Sequence, residues 1–210
     1  MGEECAMKIN YDIVIPLFAA FAIVMLTGPV VIPFLQKLKL SQTERKEGVQ
    51  AHLKKAGTPT MGGVIFLFSI LITSLFYVSD YPRIIPVLVL TLGFGVIGFL
   101  DDYLKVVLRR SDGLMPGEKM LGQLIVTTIF VIFLWMMDSS LLELRIPFGL
   151  FGVRELGGPA VKIIATPLAY LVVIGTVNGV NFTDGLDGLA TGVTSMVAVF
   201  YLAASALLEG

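Results

Sequence analysis

Hydrophobic and polar residues alternate along this chain in long blocks. A helix needs about 20 apolar residues to cross the roughly 30 Å of hydrocarbon in a bilayer. Six blocks approach or reach this length, at residues 11–35, 61–78, 84–100, 120–137, 161–180 and 189–208. The pattern predicts an all-α fold, a polytopic membrane helix bundle with six transmembrane helices forming a single membrane domain over residues 1–210.

Two details refine this prediction. Gly93, Gly95 and Gly98 make the third span thin, which suits close packing against a neighbouring helix. The polar block after the fourth span contains L-L-E-L-R-I-P-F-G-L-F-G, and its alternation predicts a small periplasmic hairpin near residues 141–152.

Composition agrees with a membrane protein. Of the 210 residues, 56% are hydrophobic and only 15% are charged. These values are typical of integral membrane proteins. The net charge of −1 gives no indication of a nucleic-acid partner, and a single cysteine, Cys5, cannot form an internal disulfide.

The basic residues predict the orientation of the bundle, because Lys and Arg accumulate in cytoplasmic loops. With the N-terminus outside, segments 36–60, 101–119 and 181–188 face the cytoplasm. The first two contain most of the basic residues: Lys37, Lys39, Arg45, Lys46, Lys54, Lys55, Lys105, Arg109, Arg110 and Lys119. Three segments that are distant in sequence therefore meet at the cytoplasmic face.

Two adjacent carboxylates, Asp101 and Asp102, end the third span. Ionisable residues beside a membrane span are costly and indicate a functional site. On a helix that continues one turn further, Lys105 reaches either aspartate. Lys105, a divalent metal ion, or both would hold the pair ionised, whereas a solvated helix end with one salt bridge is the structural alternative.

The fifth span ends in a second polar segment, N-G-V-N-F-T-D-G-L-D-G. Its polar side chains recur every third residue, close to one helical stripe, and glycines follow both aspartates. The stripe consists of Asn178, Asn181, Asp184 and Asp187, with Gly185 and Gly188. Such a stripe suits a polar ligand, and an Asx-rich capping turn between two spans is the alternative.

The third segment, K-K-A-G-T-P-T-M-G-G at 54–63, precedes the second span. Lys55, Thr60 and the glycines suit an anion at a helix N-terminus, and Lys119 opens the fourth span similarly. A basic loop that touches anionic lipids is the alternative. Together, the three segments indicate a Mg²⁺-dependent reaction on phosphates at the bilayer surface, with a lipid as one substrate.

These three segments closely resemble the bacterial phospho-N-acetylmuramoyl-pentapeptide-transferase family, within the polyprenyl-phosphate N-acetylhexosamine-1-phosphate transferases. The shared patterns are G-x-I-G-F-x-D-D-x-x-K at 95–105, K-x-G-T-P-T-M-G-G at 55–63 and N-x-x-N-x-T-D-G-L-D-G-L-A at 178–190. Phe182 stands where leucine looks more usual. The resemblance runs through the whole chain in order.

The resemblance implies transfer of phospho-N-acetylmuramoyl-pentapeptide from its UDP carrier to undecaprenyl phosphate, giving lipid I and UMP with Mg²⁺. It also implies a homodimer in the bacterial inner membrane that is inhibited by nucleoside antibiotics. Asp101, Asp102 and Lys105 are then expected to be catalytic, with Asp101 as a metal ligand. The expected substrate-binding residues are Lys55, Thr60, Lys119, Asn178, Asn181, Phe182, Asp184, Gly185 and Asp187.

The family has about ten helices, and its later helices carry a further essential aspartate. We therefore expect residues 1–210 alone to be inactive. Two other functions stay open at this stage. A sister transferase would move a different N-acetylhexosamine-1-phosphate to a polyprenyl phosphate. An ion-coupled transporter would use membrane carboxylates as ion sites, near the midplane rather than at one surface.

Overall fold

The structure is a computed structural model that describes residues 2–37, 60–108, 113–137, 159–184 and 188–208. In these parts the chain forms helices, which confirms the all-α prediction. They are α1 (Gly2–Lys37), α2 (Gly63–Tyr77), α3 (Ile84–Val106), α4 (Pro116–Met137), α5 (Pro159–Thr183) and α6 (Leu189–Leu208). The predicted hairpin at 141–152 lies outside the described residues.

Four helical segments are long and apolar enough to cross a membrane, as expected of an integral membrane protein. They are Val14–Lys37, Ile84–Val106, Pro116–Met137 and Lys162–Thr183. The apolar helix Gly63–Tyr77 is shorter than a full crossing requires, and the apolar stretch Leu189–Ala204 is the first part of α6, which continues to Leu208. Of the six predicted spans, four are therefore confirmed in length and composition among the described residues.

Contacts divide the chain into two compact units. One contains Leu17–Leu141, and the other contains Met1–Pro16 with Leu142–Gly210. In the first, α3 packs against both α2 and α4, and we call it the α2–α4 unit. In the second, α5 packs against α6, and we call it the α5–α6 unit. The single membrane domain over 1–210 stays a prediction.

Glycines let the helices of the α2–α4 unit approach closely. A Cβ atom added to Gly93 would lie 2.6 Å from Val126 Cγ1 on α4, and one added to Gly95 would lie 2.5 Å from Leu67 Cδ1 on α2. Both distances are shorter than a carbon–carbon contact allows. The prediction of close packing is confirmed at these two positions. Among the described residues, nothing lies within 4 Å of the corresponding position at Gly98.

Polar side chains lie in the interior of this unit beside apolar ones such as Ile97 and Val131. Ser69, Gln123 and Thr127 are almost completely buried. Ser69 Oγ donates a hydrogen bond to the Ala20 carbonyl of α1 at 2.8 Å, and Thr127 Oγ1 donates to the Gln123 carbonyl at 2.7 Å. The second bond lies within α4, whereas the first joins two helices, as expected in membrane proteins, where close approach and interhelical hydrogen bonds replace the hydrophobic driving force.

Candidate active site

Asp101 is buried near the end of α3 and is held from two sides. Because α3 continues to Val106, Lys105 lies one turn after Asp101, and its Nζ is 2.6 Å from Asp101 Oδ2. The backbone N–H of Leu114 donates a hydrogen bond to Asp101 Oδ1 at 2.9 Å. Each carboxylate oxygen therefore has its own donor, and Asp101 is only 9% exposed.

The loop before α4 has the shape that this contact requires. Gly113 has a φ of 64°, which lies in the left-handed region that glycine adopts without steric cost. A Cβ atom there would collide with Asp101 Oδ1 and with the Lys105 side chain. After this turn, the Met115 N–H donates to Glu118 Oε2 at 2.9 Å. In such a capping arrangement, the side chain of the third helical residue accepts a hydrogen bond from the backbone of the N-cap residue. The loop is thereby fixed to α3 at one end and to α4 at the other.

Asp102 meets a different loop. The backbone N–H of Met61, just before α2, lies beside the Asp102 carboxylate and attracts it electrostatically. Asp102 is half-buried, whereas Thr60 and Met61 are buried. The structure therefore brings the end of the 54–63 segment into contact with the aspartate pair. Lys55 lies outside the described residues.

Two lysines balance the two carboxylates. Besides Lys105, Lys119 in the first turn of α4 attracts both Asp101 and Asp102 electrostatically. The Lys105 side chain is 43% exposed, so its ammonium group reaches the surface while it contacts Asp101. This arrangement offers carboxylate oxygens and ammonium groups side by side, as a reaction on phosphate groups requires.

The polar stripe of α5 belongs to the other unit. Asn178 Nδ2 donates to the Ile174 carbonyl at 2.9 Å, one turn earlier in its own helix. Asn181 and Asp184 are exposed, and Phe182 is 85% exposed. The stripe thus follows the predicted helical spacing as far as Asp184. Gly185 and Asp187 lie outside the described residues.

Sequence reasoning missed the two backbone donors, Met61 and Leu114, and the turn at Gly113. A Gly followed within three residues by Pro116 is a signal for a turn before a helix, and it was available at 113–116. The contact between Met61 and Asp102 has no comparable signal, because nothing in the local pattern indicates a left-handed methionine.

The carboxylates can be tested for their fit to Mg²⁺. Within the described ranges, no three His, Cys, Asp or Glu side chains lie together as a complete metal cage. Mg²⁺ does not need one, because it keeps several waters and commonly uses one or two carboxylates together with substrate phosphates. Asp101 and Asp102 are donors of this kind, so the residues present fit a Mg²⁺ ion that is shared with a phosphate substrate.

Comparisons with known families match both parts of the α2–α4 site. The model of Glycosyl transferase family 4 matches residues 84–210, which include the aspartate pair. The Phospho-N-acetylmuramoyl-pentapeptide-transferase signature 1 matches residues 55–67, which include Met61.

Individual relatives agree with these matches. A phospho-N-acetylmuramoyl-pentapeptide-transferase of Acetivibrio thermocellus is 46% identical over 183 residues, covering 87% of this chain and 53% of the relative. That of Clostridioides difficile is 42% identical over 191 residues, covering 91% and 58%. That of Carboxydothermus hydrogenoformans is 42% identical over 202 residues, covering 92% and 60%. The chain spans a little over half the length of these relatives.

Proposed function

Since the chain belongs to glycosyl transferase family 4, we propose that its protein transfers phospho-N-acetylmuramoyl-pentapeptide from UDP to undecaprenyl phosphate. The products are lipid I and UMP, and the reaction is the first membrane step of peptidoglycan synthesis. The observation that carries the proposal is the junction between the matched signature and the aspartate pair, where the Met61 N–H meets Asp102. The signature segment and the aspartate pair, which the family comparisons match separately, lie side by side, and this proximity supports the proposal.

The lipid phosphate is the nucleophile in this proposal. A phosphate monoester has a second pKa of about 6, so the lipid phosphate is already largely a dianion at neutral pH. One of its oxygens attacks the phosphorus that is linked to the sugar, and UMP leaves. Such a transfer depends on position and charge neutralisation more than on a strong base.

The described side chains suit these two tasks. Lys105 and Lys119 neutralise phosphate oxygens, and Asp102 orients the lipid phosphate or removes a residual proton. Asp101 and Asp102 would hold Mg²⁺, with Asp101 using the second lone pairs of oxygens that already accept hydrogen bonds. When bound, Mg²⁺ supplies charge neutralisation between the phosphates.

The nucleotide end of the substrate is assigned by resemblance. We propose that the polar stripe of α5 and the 54–63 segment contact UDP and the sugar. The residues concerned are Lys55, Thr60, Asn178, Asn181, Phe182, Asp184, Gly185 and Asp187. The exposure of Asn181, Phe182 and Asp184 supports this assignment, because a ligand can reach them.

The cellular setting follows from the same premise. We propose a homodimer in the bacterial inner membrane, with the N-terminus outside, the site on the cytoplasmic face, and nucleoside antibiotics as inhibitors. The distribution of lysine and arginine supports this orientation. The partners at the site are the UDP-linked sugar and the polyprenyl phosphate.

The test is release of UMP by the full-length protein with a short polyprenyl phosphate. UDP-N-acetylmuramoyl-pentapeptide is expected to support release, and UDP-N-acetylglucosamine is not. Equal or preferential use of UDP-N-acetylglucosamine would instead identify a sister transferase. No release with either sugar, despite bound polyprenyl phosphate, would refute the proposal.

A further inference from the structure

Met61 has an unusual backbone conformation. Its φ is 67°, in the left-handed region that non-glycine residues rarely occupy because Cβ crowds the following carbonyl. Within the described residues, it is the one non-glycine residue with a positive φ. Residues held in such a conformation persist where the surroundings fix them, and they cluster at functional sites.

The surroundings of Met61 fix it from several directions. Its side chain is buried, and its carbonyl accepts a hydrogen bond from the Val64 N–H at 3.2 Å as α2 begins. Gly62, the next residue, already has helical angles. The left-handed residue is therefore the point where the chain turns into α2.

The same turn directs the Met61 N–H toward α3, where it meets Asp102. A glycine would reach this conformation more easily, yet it would also leave it more easily because it has no side chain to anchor. A buried methionine keeps the N–H in one place. The loop before α4 holds Asp101 in a similar way: Gly113 is left-handed, and the Leu114 N–H donates a hydrogen bond to Asp101.

From this geometry we infer that Met61 is a positioning residue, whose left-handed backbone holds the Asp102 carboxylate in place for the reaction. The T-P-T-M-G-G string therefore acts partly through its backbone conformation, in addition to any contact with the nucleotide. The inference rests on the proposed function, since the carboxylate that it positions acts in that reaction.

Leucine and isoleucine at position 61 separate backbone shape from side-chain volume. The two side chains are isomers, but a β-branched residue strongly disfavours a positive φ, whereas leucine does not add that penalty. In the full-length protein, we expect Met61→Ile to lower kcat for UMP release by at least about tenfold more than Met61→Leu. The KM for the UDP-linked substrate should differ little between the two variants.

A spectroscopic measurement tests the contact without using activity. In protein labelled with ¹⁵N-methionine, the Met61 amide resonance is identified by its loss in Met61→Leu. It should move strongly in Asp102→Ala and much less in Asp101→Ala, because the N–H lies beside the Asp102 carboxylate. Equal movement in both variants would overturn the contact.

Two results of the kinetic comparison would contradict the inference. Equal kcat values for Met61→Ile and Met61→Leu would overturn the positioning role, as would a difference confined to the KM of the UDP-linked substrate. If the unmodified protein releases no UMP, the proposed function fails, and the amide resonance alone decides whether Met61 holds Asp102.

Discussion

Replacing Gly113 by alanine tests whether the loop before α4 holds the site together. The left-handed φ of 64° at this position costs an alanine about 1–2 kcal/mol. In addition, the new Cβ would collide with Asp101 Oδ1 and with the Lys105 side chain. The loop or the carboxylate must move, which weakens a hydrogen bond to a charged group worth about 1.5–3 kcal/mol.

These contributions overlap, because one movement of the loop relieves both. We therefore expect the Gly113→Ala substitution to destabilise the conformation in which Leu114 holds Asp101 by about 2–3 kcal/mol. At 1.36 kcal/mol for each factor of ten, this corresponds to a rate that is roughly 30- to 150-fold lower. The assay is kcat for UMP release by the full-length protein. The KM for the UDP-linked substrate is expected to stay within about threefold, since binding and the chemical step respond separately.

Gly117→Ala is the matched control. Gly117 lies in the first turn of α4, and no described residue would come within 4 Å of its new Cβ. Alanine is favoured over glycine in a helix by about 1 kcal/mol, so this variant should keep its activity and melt no lower than the parent. Equal kcat values for Gly113→Ala and Gly117→Ala would refute the reasoning. Gly113→Asn should lie between them, because asparagine tolerates the left-handed region but still carries a Cβ.

Three further outcomes are expected. Asp101→Asn and Asp102→Asn should each lower turnover by about two orders of magnitude or more with little change in the Kd of the UDP-linked substrate. An equal loss of binding would contradict the proposal that the aspartates act on the lipid phosphate while other residues bind the UDP-linked substrate. Gly93→Ala should destabilise the α2–α4 unit by about 1–3 kcal/mol through overpacking against Val126, as measured by thermal unfolding in detergent. The Gly98→Ala control should not, and Val126→Ala should partly rescue Gly93→Ala. Removing divalent cations with EDTA should abolish UMP release and adding Mg²⁺ should restore it, whereas full activity in EDTA would exclude a metal role.

Several features of the α2–α4 unit could be predicted because they depend on local pattern. The long apolar blocks predicted the helices, and the spacing of Asp101 and Lys105 predicted an ion pair once α3 was extended by one turn. Gly93 and Gly95 predicted close helix packing, since a missing side chain has the same effect in any membrane helix. The predicted membership of a transferase family is confirmed by the match to residues 84–210.

Other features depend on tertiary contacts and were not accessible. Which of two loops contacts each aspartate is decided by how α2 and α4 pack on α3, not by spacing along α3. The left-handed conformation of Met61 is likewise imposed by its surroundings, because a methionine has no local preference for it. The bounds of α2 also differ from its apolar block: the helix begins at Gly63 rather than at residue 61, because Met61 and Gly62 form the turn into it.

Packing along α3 explains why two adjacent carboxylates serve two different loops. Residues four or seven apart share a helix face, whereas consecutive residues point about 100° apart. Ile97, whose side chain lies against Gly122 of α4, is four residues before Asp101. Gly95, which faces α2 through Leu67, is seven residues before Asp102.

The faces of α3 that allow close packing therefore also determine the loop that each carboxylate reaches. Asp101 lies on the face of α3 that packs against α4 and contacts the Leu114 N–H. Asp102 lies on the face that packs against α2 and lies beside the Met61 N–H. A single aspartate would contact one loop only. Two consecutive aspartates join the signature segment and the start of α4 at one point of α3, where Lys105 and Lys119 supply the opposing charge. A phosphate group bound there would meet charged groups of α3 and α4 beside the loop that precedes α2. Groups whose positions are fixed before the ligand arrives are the condition under which electrostatic catalysis is most effective.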